Sequence, residues 1–377
     1  MTETKLKRKP RISFVVMSAS DIGGAVRVAA NIANRMCRDC EVHFISVCDE
    51  SDDSSAFELD SRIVCKTLLY NKPNTIRLRY LIPRSRKPFV EYITSSGIDV
   101  VFLVGSFTAL VGYLPSLQTS CRYVFCDHGA LANQLDSKSA TAIRRLAWRR
   151  FDRTVVLTER TRSDYVSIFK ASREKIVCIP NWIDSQIISQ RKPYNAASKK
   201  ILWAGRLDKE KGADMLLDIA ERVLPQCPDW VWDVYGAPVM STDGGDFAFE
   251  ISARGLEGRL NYLGVADDLV SKYGDYACCT LTSYREGLPM VLLEAKASGL
   301  PLISFDVVTG PNEIIDHGLD GYLVPCFDCD AYASRVLELV KDPSLRVRFS
   351  QASQKGMERF SEEGIYALWW DLINSII

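Results

Sequence analysis

Residues 277–305 read ACCTLTSYREGLPMVLLEAKASGLPLISF, and this stretch decides the fold class. Ala277–Leu281 is a short apolar run, as in a buried strand, and Pro301–Phe305 has the same character. Between them, Pro289–Ser298 has the composition of a helix, and Pro289 suits a first helical turn. A strand, a helix and a second strand in this order predict a parallel sheet covered by helices.

The rest of the chain repeats this alternation on both sides of the polar stretch Ser185–Lys200, which we interpret as a linker. In the first half we predict strands at Ile12–Ser18, Glu41–Val47, Val100–Val104, Arg122–Cys126 and Thr154–Leu157, with a helix at Ala25–Met36. In the second half we predict further strands at Ile201–Ala204, Trp230–Tyr235, Asn261–Leu263 and Gly321–Val324, and helices at Gly212–Val223 and Ala331–Lys341.

A chain of 377 residues is long enough for two such domains. We predict an α/β protein with two Rossmann-like domains, residues 1–190 and 191–361. The amphipathic helix at residues 362–377 is expected to pack back onto the first domain. Two domains of this kind that face each other form a cleft, and ligands of such folds bind there.

The charges are balanced overall but unevenly distributed. Residues 1–190 hold 28 Lys and Arg against 19 Asp and Glu, and the remainder holds 19 against 28. A basic half suits anionic partners such as a membrane surface or a phosphorylated acceptor, although chance variation explains the imbalance equally well. The neutral total and the lack of a recognition motif disfavour nucleic-acid binding.

The start of the chain is basic but is not followed by an apolar segment of secretory length. Twelve cysteines lie scattered, many within apolar runs, which is typical of reduced thiols in the cytoplasm. The uncharged segment Val100–Cys121 is long enough to cross a bilayer, but Gly105-Ser106 and Pro115 divide it. A strand, a turn and a helix therefore fit that segment better than a transmembrane helix.

Two acidic residues flank the start of the helix that opened this section. Glu286 lies in the loop before it and Glu294 lies within it. The free amides of a helix N-terminus bind anions. Two carboxylates beside an anion suit a ligand that also carries hydroxyl groups, as a nucleoside diphosphate sugar does. The alternative is that Glu286 is an ordinary acidic residue at a helix start and Glu294 a surface residue.

A second loop, Gly205–Gly212, also follows a strand and precedes a helix. Its side chains Arg206 and Lys211 can reach into the same cleft. Two cations beside helix amides suit a diphosphate leaving group. The alternative is a solvated basic turn.

Together these motifs resemble glycosyltransferase family 4, retaining enzymes of the GT-B fold. Glu286 and Glu294 have the spacing of the family's E-x(7)-E motif, and Gly205–Gly212 matches its G-R-x(4)-K-G segment. Three further segments are similar to family patterns: Gly23-Gly24, Ile179–Asp184 (with Trp182 where the family usually has Gly) and the region from Thr309 to Val324. The Thr309-Gly-Pro form resembles members that build cell-surface polysaccharides.

The resemblance implies a role for each position. Glu286 would hold hydroxyl groups of the donor sugar, and Glu294 the ribose diol. Arg206 and Lys211 would neutralise the diphosphate. Backbone groups of the helix start would contact phosphate or sugar, namely those of Gly287, Leu288, Pro289 and Met290. Gly23 and Gly24 would let the N-terminal backbone approach the donor.

The chain has only three histidines. His128 directly follows a predicted strand, where ligands bind in these folds, and the family often has an acid–histidine pair here, near the transferred sugar. His43 lies within a strand and favours a structural role, and His317 is expected to be solvated. Metal-dependent transferases of another fold use Asp-x-Asp, and the match at Asp328–Asp330 precedes a helix, so capping explains it better. We expect no metal and no further cofactor.

The stretch Ile143–Arg153 interleaves basic and aromatic residues at helical spacing. Such a stripe can lie on an anionic membrane. The alternative is an ordinary amphipathic helix in which Leu146 and Phe151 face the core.

The sequence therefore predicts a retaining glycosyltransferase. It would move a hexose or hexosamine from a nucleotide sugar, with UDP the expected nucleotide, to a glycan or lipid-linked glycan in cell-surface polysaccharide biosynthesis. One alternative is a dinucleotide-dependent oxidoreductase, but Ser18–Ala25 lacks the G-x-G-x-x-G pattern. The other is a catalytically inactive binding protein on the same fold, which the intact acidic and basic motifs disfavour.

Overall fold

The computed structural model describes residues 8–72, 77–237, 247–266 and 268–377. The chain divides into two compact units. Unit 1 consists of Met1–Pro180 together with Tyr366–Ile377, and unit 2 consists of Asn181–Ile365.

Within its described residues, unit 1 is built on one sheet of seven parallel strands in the order β3-β2-β1-β4-β5-β6-β7. The strands are β1 Arg11–Val16, β2 Glu41–Asp49, β3 Val64–Tyr70, β4 Val100–Val104, β5 Arg122–Asp127, β6 Arg153–Val156 and β7 Ile176–Cys178. The connecting helices are α1 Gly24–Met36, α2 Leu78–Ser95, α3 Ser106–Tyr113, α4 Lys138–Arg150 and α5 Glu159–Phe169. Every residue of β4 is buried, because helices cover both faces of a parallel sheet.

Unit 2 repeats the plan with six parallel strands, again within the described residues, in the order β10-β9-β8-β11-β12-β13. The strands are β8 Lys200–Ala204, β9 Val231–Tyr235, β10 Leu260–Tyr262, β11 Cys278–Leu281, β12 Leu302–Phe305 and β13 Gly321–Val324. The helices are α6 Ser185–Ser189, α7 Ala213–Val223, α8 Phe247–Ala253, α9 Met290–Ala297, α10 Pro311–Ile314, α11 Cys329–Lys341 and α12 Pro343–Ala352, followed by α13 Glu362–Ile376.

The core of unit 2 lies between the sheet and its helices. Trp203 and Trp232 are fully buried, as is Leu216 of α7. Burying large apolar side chains in this way supplies most of the free energy that stabilises a domain of this size.

The last helix places its aromatic side chains within unit 1. Trp369 packs edge-on against Phe102 of β4, with 5.4 Å between ring centroids. The Tyr366 hydroxyl donates a hydrogen bond to Asp39 in the turn that follows α1. The chain therefore returns to unit 1 after completing unit 2.

The boundary between the units follows Pro180, ten residues before the position expected from the polar stretch. The reason is that this stretch bonds to unit 2 and is not a free linker. The Tyr194 hydroxyl donates to the carbonyl oxygen of Ala277, and the Ser198 hydroxyl donates to that of Asp275.

The uncharged segment beginning at Val100 is a strand followed by the helix α3, as predicted. Among the residues that the structure describes, no helix is both long enough and apolar enough to cross a membrane.

Candidate active site

The strand order of unit 2 reverses between β8 and β11, which are neighbours in the sheet. From β8 the chain proceeds toward β9 on one side, and from β11 it proceeds toward β12 on the other. The crevice beyond the carboxyl ends of two such strands is where open α/β sheets bind ligands. The two loops singled out from the sequence, Gly205–Gly212 and Thr282–Pro289, leave from these two ends.

The two loops are in direct contact. Gly212 has a φ of +69°, and a Cβ atom there would lie 2.0 Å from the carbonyl oxygen of Thr282, so only glycine fits. The Thr282 hydroxyl donates to the Gly212 carbonyl oxygen at 2.8 Å and accepts from the Trp203 indole at 3.0 Å. The start of α7 is thereby fixed against the end of β11.

This contact brings Lys211 to Glu286. The Nζ atom of Lys211 lies 2.7 Å from Oε1 of Glu286, and the Ser283 hydroxyl donates to the same oxygen at 2.6 Å. The Glu286 side chain is 6% exposed and that of Lys211 is 23% exposed. Glu286 is therefore not an ordinary acidic residue at a helix start, because its carboxylate is buried and paired. Lys211 is not part of a solvated basic turn, because its ammonium group is paired with that carboxylate.

A third loop supports the backbone of Glu286 from behind. The buried Thr309 hydroxyl donates to the Glu286 carbonyl oxygen at 2.7 Å. Gly310 has a φ of +97°, and a Cβ atom there would lie 2.8 Å from the Gly287 carbonyl oxygen. The loop after β12 therefore packs directly against the loop that carries Glu286.

Helix α9 begins at Met290 with Pro289 as its N-cap, and the Pro289 side chain provides no cap hydrogen bond. The first amides of an α-helix have no carbonyl partner within the helix and carry partial positive charge. The segment predicted to bind phosphate or sugar is this helix start, formed by Gly287, Leu288, Pro289 and Met290.

Glu294 lies one turn further along α9 and is 5% exposed. Its Oε2 atom accepts a hydrogen bond from the Tyr273 hydroxyl at 2.9 Å. It is therefore not the surface residue of the alternative interpretation.

Arg206 is the most exposed of the predicted charged residues in unit 2. Its side chain is 53% exposed, and its guanidinium pairs with Asp208 at 3.1 Å. The Asp208 carboxylate also accepts from the Lys211 amide at 2.8 Å, so the basic loop is internally ordered. The Arg206 guanidinium is held by Asp208, whereas the Lys211 ammonium is held by Glu286.

In unit 1, His128 directly follows β5 and is partly buried. Desolvation lowers the pKa of His128 to about 4, although the neighbouring Asp127 carboxylate acts in the opposite direction. Its ring is therefore neutral near pH 7. Asp127 is directed elsewhere: it accepts from Arg144 at 2.6 Å and from the Tyr165 hydroxyl at 2.7 Å.

Gly23 and Gly24 form the start of α1, where Gly23 is the N-cap with a φ of −80°. A Cβ atom at Gly24 would meet nothing within 4 Å, and one at Gly23 would make only ordinary contact with Asp21. The fold of unit 1 itself therefore does not require glycine at Gly24.

Two family models cover most of the chain. Residues 22–187 match glycosyltransferase family 4, and residues 184–356 match the group 1 glycosyl transferases. The chain belongs to glycosyltransferase family 4. It is therefore an enzyme that transfers glycosyl groups, as the sequence predicted.

Relatives of this glycosyltransferase align over nearly its whole length. It is 23% identical to the amylovoran biosynthesis glycosyltransferase AmsD of Erwinia amylovora, over 97% of the chain and 99% of that protein. It is 22% identical, over 97% of the chain and 99% of the relative, to an α-1,4-N-acetyl-D-galactosaminyltransferase of Campylobacter jejuni that is named for a PP-undecaprenol-linked acceptor.

Among solved structures, Anabaena Alr3699/HepE in complex with UDP and glucose is similar, with a TM-score of 0.78 and 19% identity. The match covers 97% of this chain and 100% of that one. This likeness, together with the two parallel sheets, confirms the predicted GT-B fold.

Asp328 and His43, which the sequence analysis assigned to structural roles, both make hydrogen bonds within the fold. Asp328 caps α11 by accepting from the Ala331 amide at 2.9 Å, which confirms the capping interpretation. His43 is buried and bonds to the Tyr92 hydroxyl at 2.8 Å. Within the described residues, no three His, Cys, Asp or Glu side chains lie close enough together to hold a metal ion.

The basic stripe of α4 differs from the sequence prediction in which side chains are exposed and which are buried. Arg144 is 1% exposed, because its guanidinium turns inward to Asp127, and the pKa of Arg144 is raised by that carboxylate although burial lowers it. Leu146 is 44% exposed and not in the core, whereas Phe151 is buried as expected.

Sequence reasoning missed two further polar contributions to the site. It did not identify Tyr273, and it did not predict that the Thr309 hydroxyl donates a hydrogen bond. Tyr273 is 21 residues from Glu294 in sequence. The contact arises only because the turn before β11 packs beside α9. No spacing rule predicts such a pair.

Proposed function

We propose that this glycosyltransferase moves a hexose or hexosamine from a nucleotide sugar, with UDP as the expected nucleotide, to a glycan or lipid-linked glycan. Retention of the anomeric configuration is part of the proposal. Its support is the resemblance to retaining enzymes, the UDP and glucose of the Anabaena structure and the names of the two bacterial relatives. These names also support a place in bacterial polysaccharide biosynthesis.

The observation that carries the proposal is the grouping of Lys211, Glu286 and the start of α9 at the strand-order reversal of unit 2. A cation and uncapped helix amides suit a diphosphate. A carboxylate beside them suits sugar hydroxyls. The same place therefore offers groups for both parts of a nucleotide sugar.

The proposed roles follow from these contacts. Lys211 meets the diphosphate, and Glu286 exchanges its bond to Lys211 for bonds to donor-sugar hydroxyls. Arg206 turns from Asp208 to the diphosphate, which its exposed position permits at little cost. Glu294 holds the ribose diol. The roles of Gly23, Gly24 and His128 remain predictions from the resemblance.

The chemical step that we propose is front-face transfer. As the bond between sugar and diphosphate breaks, negative charge grows on the leaving phosphate. Lys211, Arg206 and the amides of α9 would stabilise that charge more in the transition state than in the ground state. The acceptor oxygen would form its bond to the anomeric carbon on the face that the phosphate leaves, and the leaving phosphate would take the proton of that acceptor hydroxyl.

A thermal-shift panel tests the donor class. A ligand that binds only the native state raises the melting temperature by mass action. We expect UDP to stabilise the protein more than NAD, in EDTA and without divalent metal, and Lys211→Ala to lose most of the UDP shift. Stabilisation by NAD with no shift from UDP, GDP or ADP would contradict the transferase site. A UDP shift that needs metal would contradict the metal-free binding.

We also propose a cytoplasmic enzyme that contacts an anionic membrane from unit 1. The twelve cysteines are all free thiols, as expected in a reducing compartment. The exposed residues Arg145, Leu146 and Arg149 of α4, which we term the basic face, offer two cations beside an apolar side chain. Such a contact would place the enzyme beside a lipid-linked acceptor.

A further inference from the structure

The carboxylate of Glu294 lies in a largely apolar part of unit 2. Its neighbours Leu293 and Ala295 on α9 are fully buried, and Glu294 itself is 5% exposed. Burial raises the pKa of the Cys279 thiol, and the nearby Cys278 and Glu294 side chains raise it further. An ionised carboxylate in such a place needs hydrogen-bond donors to offset its lost hydration.

Tyr273 is one such donor. It lies in the short 3-10 turn Val270–Asp275 ahead of β11, and its ring is fully buried. The turn is closed by the Tyr276 amide, which donates to the Tyr273 carbonyl oxygen at 3.2 Å. The hydroxyl that reaches Glu294 Oε2 at 2.9 Å is therefore held by an element other than the helix that carries Glu294.

A fixed donor on one carboxylate oxygen restricts rotation of the whole group. Each carboxylate oxygen has two lone pairs, so Oε2 can accept a second hydrogen bond. Fixing Oε2 also fixes the plane of the carboxylate and therefore the position of Oε1. Two vicinal hydroxyls are best held by a carboxylate whose plane is already set. The conformational cost of binding is then small.

We propose that Tyr273 is a positioning residue that sets the Glu294 carboxylate for the ribose diol of the donor nucleotide. The inference rests on the proposed function, since Glu294 is assigned to the ribose there. The ribose is remote from the bond that breaks. Loss of the Tyr273 hydroxyl should therefore raise the donor KM and leave kcat almost unchanged.

The chain provides a matched control in the same segment. Tyr276 is 3% exposed, and its hydroxyl donates to the buried Asp233 carboxylate at 3.0 Å. Tyr276→Phe removes a hydroxyl from a buried tyrosine–carboxylate bond, as Tyr273→Phe does. Of the two substitutions, only Tyr273→Phe removes a hydrogen bond to Glu294.

The experiment measures binding by calorimetry to UDP, GDP and ADP, each paired with its 2′,3′-dideoxy counterpart. For the nucleotide that binds, Tyr273→Phe should weaken affinity about tenfold, as for loss of a hydrogen bond to a charged group. Affinity for the dideoxy counterpart should change less than about twofold. Tyr276→Phe should bind both forms like the unaltered protein.

A double variant adds a second readout. Tyr273→Phe combined with Glu294→Ala should bind no more weakly than Glu294→Ala alone, because the hydroxyl acts through that carboxylate. Steady-state kinetics of Tyr273→Phe should show the increase in donor KM with kcat within about twofold.

The outcomes separate this inference from the proposed function. If Glu294→Ala weakens the ribonucleotide and Tyr273→Phe does not, the inference is wrong and the ribose role of Glu294 stands. Equal weakening by Tyr276→Phe, or equal loss for the dideoxy form, also contradicts the inference, because the effect is then general. If Glu294→Ala has no effect, or if none of the three nucleotides binds the unaltered protein, the proposed function fails and the inference with it.

Discussion

The Nζ atom of Lys211 lies 2.7 Å from Oε1 of Glu286, although 75 positions separate the two residues in sequence. They come from the loops after β8 and β11, which are adjacent strands. The Glu286 side chain is buried, so this ion pair is not an ordinary surface pair. Removal of one partner leaves the other charge poorly compensated. Stability and activity are therefore linked at this site.

Replacing Lys211 tests that link. Loss of one group that stabilises transition-state charge typically lowers the rate by about 10²–10³. We expect Lys211→Ala to lower kcat by about that factor and to lower the free energy of unfolding by about 1–3 kcal/mol, since Ser283 still donates to Glu286. The measurement is steady-state kinetics with chemical denaturation. Lys209→Ala, an exposed lysine of the same loop, should keep both values. Near-normal turnover of folded Lys211→Ala would contradict the assignment.

Thr309 offers a test of the support behind Glu286. Thr309→Val is nearly isosteric but leaves the Glu286 carbonyl oxygen without this donor, at a cost of about 1–3 kcal/mol in stability. A shift of the loop should lower kcat/KM about tenfold. Thr309→Ser keeps the hydroxyl and should retain most of the activity while losing only methyl packing. Equal activity of the two variants at equal folded concentration would show that the hydroxyl does not position Glu286.

Sequence patterns predicted the alternation of elements because buried parallel strands are continuous apolar runs, as at Val100–Val104. They missed α2 because Pro83 and Pro88 lie inside it, and proline normally ends a helix. They also missed β3 and β7, which lie at the two edges of the unit 1 sheet. The Lys211 and Glu286 loops could be found because both contain a charged motif between a strand and a helix.

The supporting residues of the site could not be found in this way. Tyr273, Thr309 and Arg144 each act through hydrogen bonds to a residue distant in sequence. Arg144 even lies within a stripe whose periodicity indicates a surface helix. Tertiary packing, not local pattern, decides where such side chains point.

Gly24 tests the predicted approach of the α1 start to the donor. The position has open space and a fold that accepts a methyl group, so Gly24→Ala should keep the melting temperature within about 2 °C. If the space is needed by substrate, kcat/KM should fall about tenfold or more, as for a small steric displacement. A substitution at the exposed Gly356 would be strained, because its φ is +74°. The control is therefore Ala142→Ser on the exposed side of α4. Unchanged kinetics of Gly24→Ala would show that the glycine is not required for transfer.

Membrane contact by the basic face predicts co-sedimentation with anionic vesicles that decreases with salt. Each basic residue near an anionic surface contributes about 1 kcal/mol, so Arg145→Glu with Arg149→Glu should weaken binding at least about tenfold. The same two-charge reversal at the exposed Arg84 and Lys87 of α2 is the matched control. If the α2 variant loses binding and the α4 variant keeps it, the assigned surface is wrong. Absence of binding to anionic vesicles by the unaltered protein would contradict membrane contact itself.

The last prediction concerns the neutral ring of His128. Desolvation lowers the pKa of His128 in the folded protein to about 4, against about 6.5 for an unperturbed histidine. Between these two values the unfolded chain binds more protons than the native state, so the free energy of unfolding must rise with pH there. The His128 contribution to the free energy of unfolding is fully present above about pH 6.5 and is lost as the pH falls toward about 4.

Because the His128 ring is only partly buried, we expect the free energy of unfolding to fall by about 1 kcal/mol over this range, less than the full pKa shift would give. His128→Gln, which does not titrate, should flatten this part of the curve relative to the unaltered protein. Denaturation curves from pH 4.5 to 7.5 measure the slopes, and NMR of the ring resonances, assigned with this variant, gives the midpoint directly. A His128 midpoint near 6.5, with the same slope in the unaltered protein and His128→Gln, would show that the ring is not held in its neutral form.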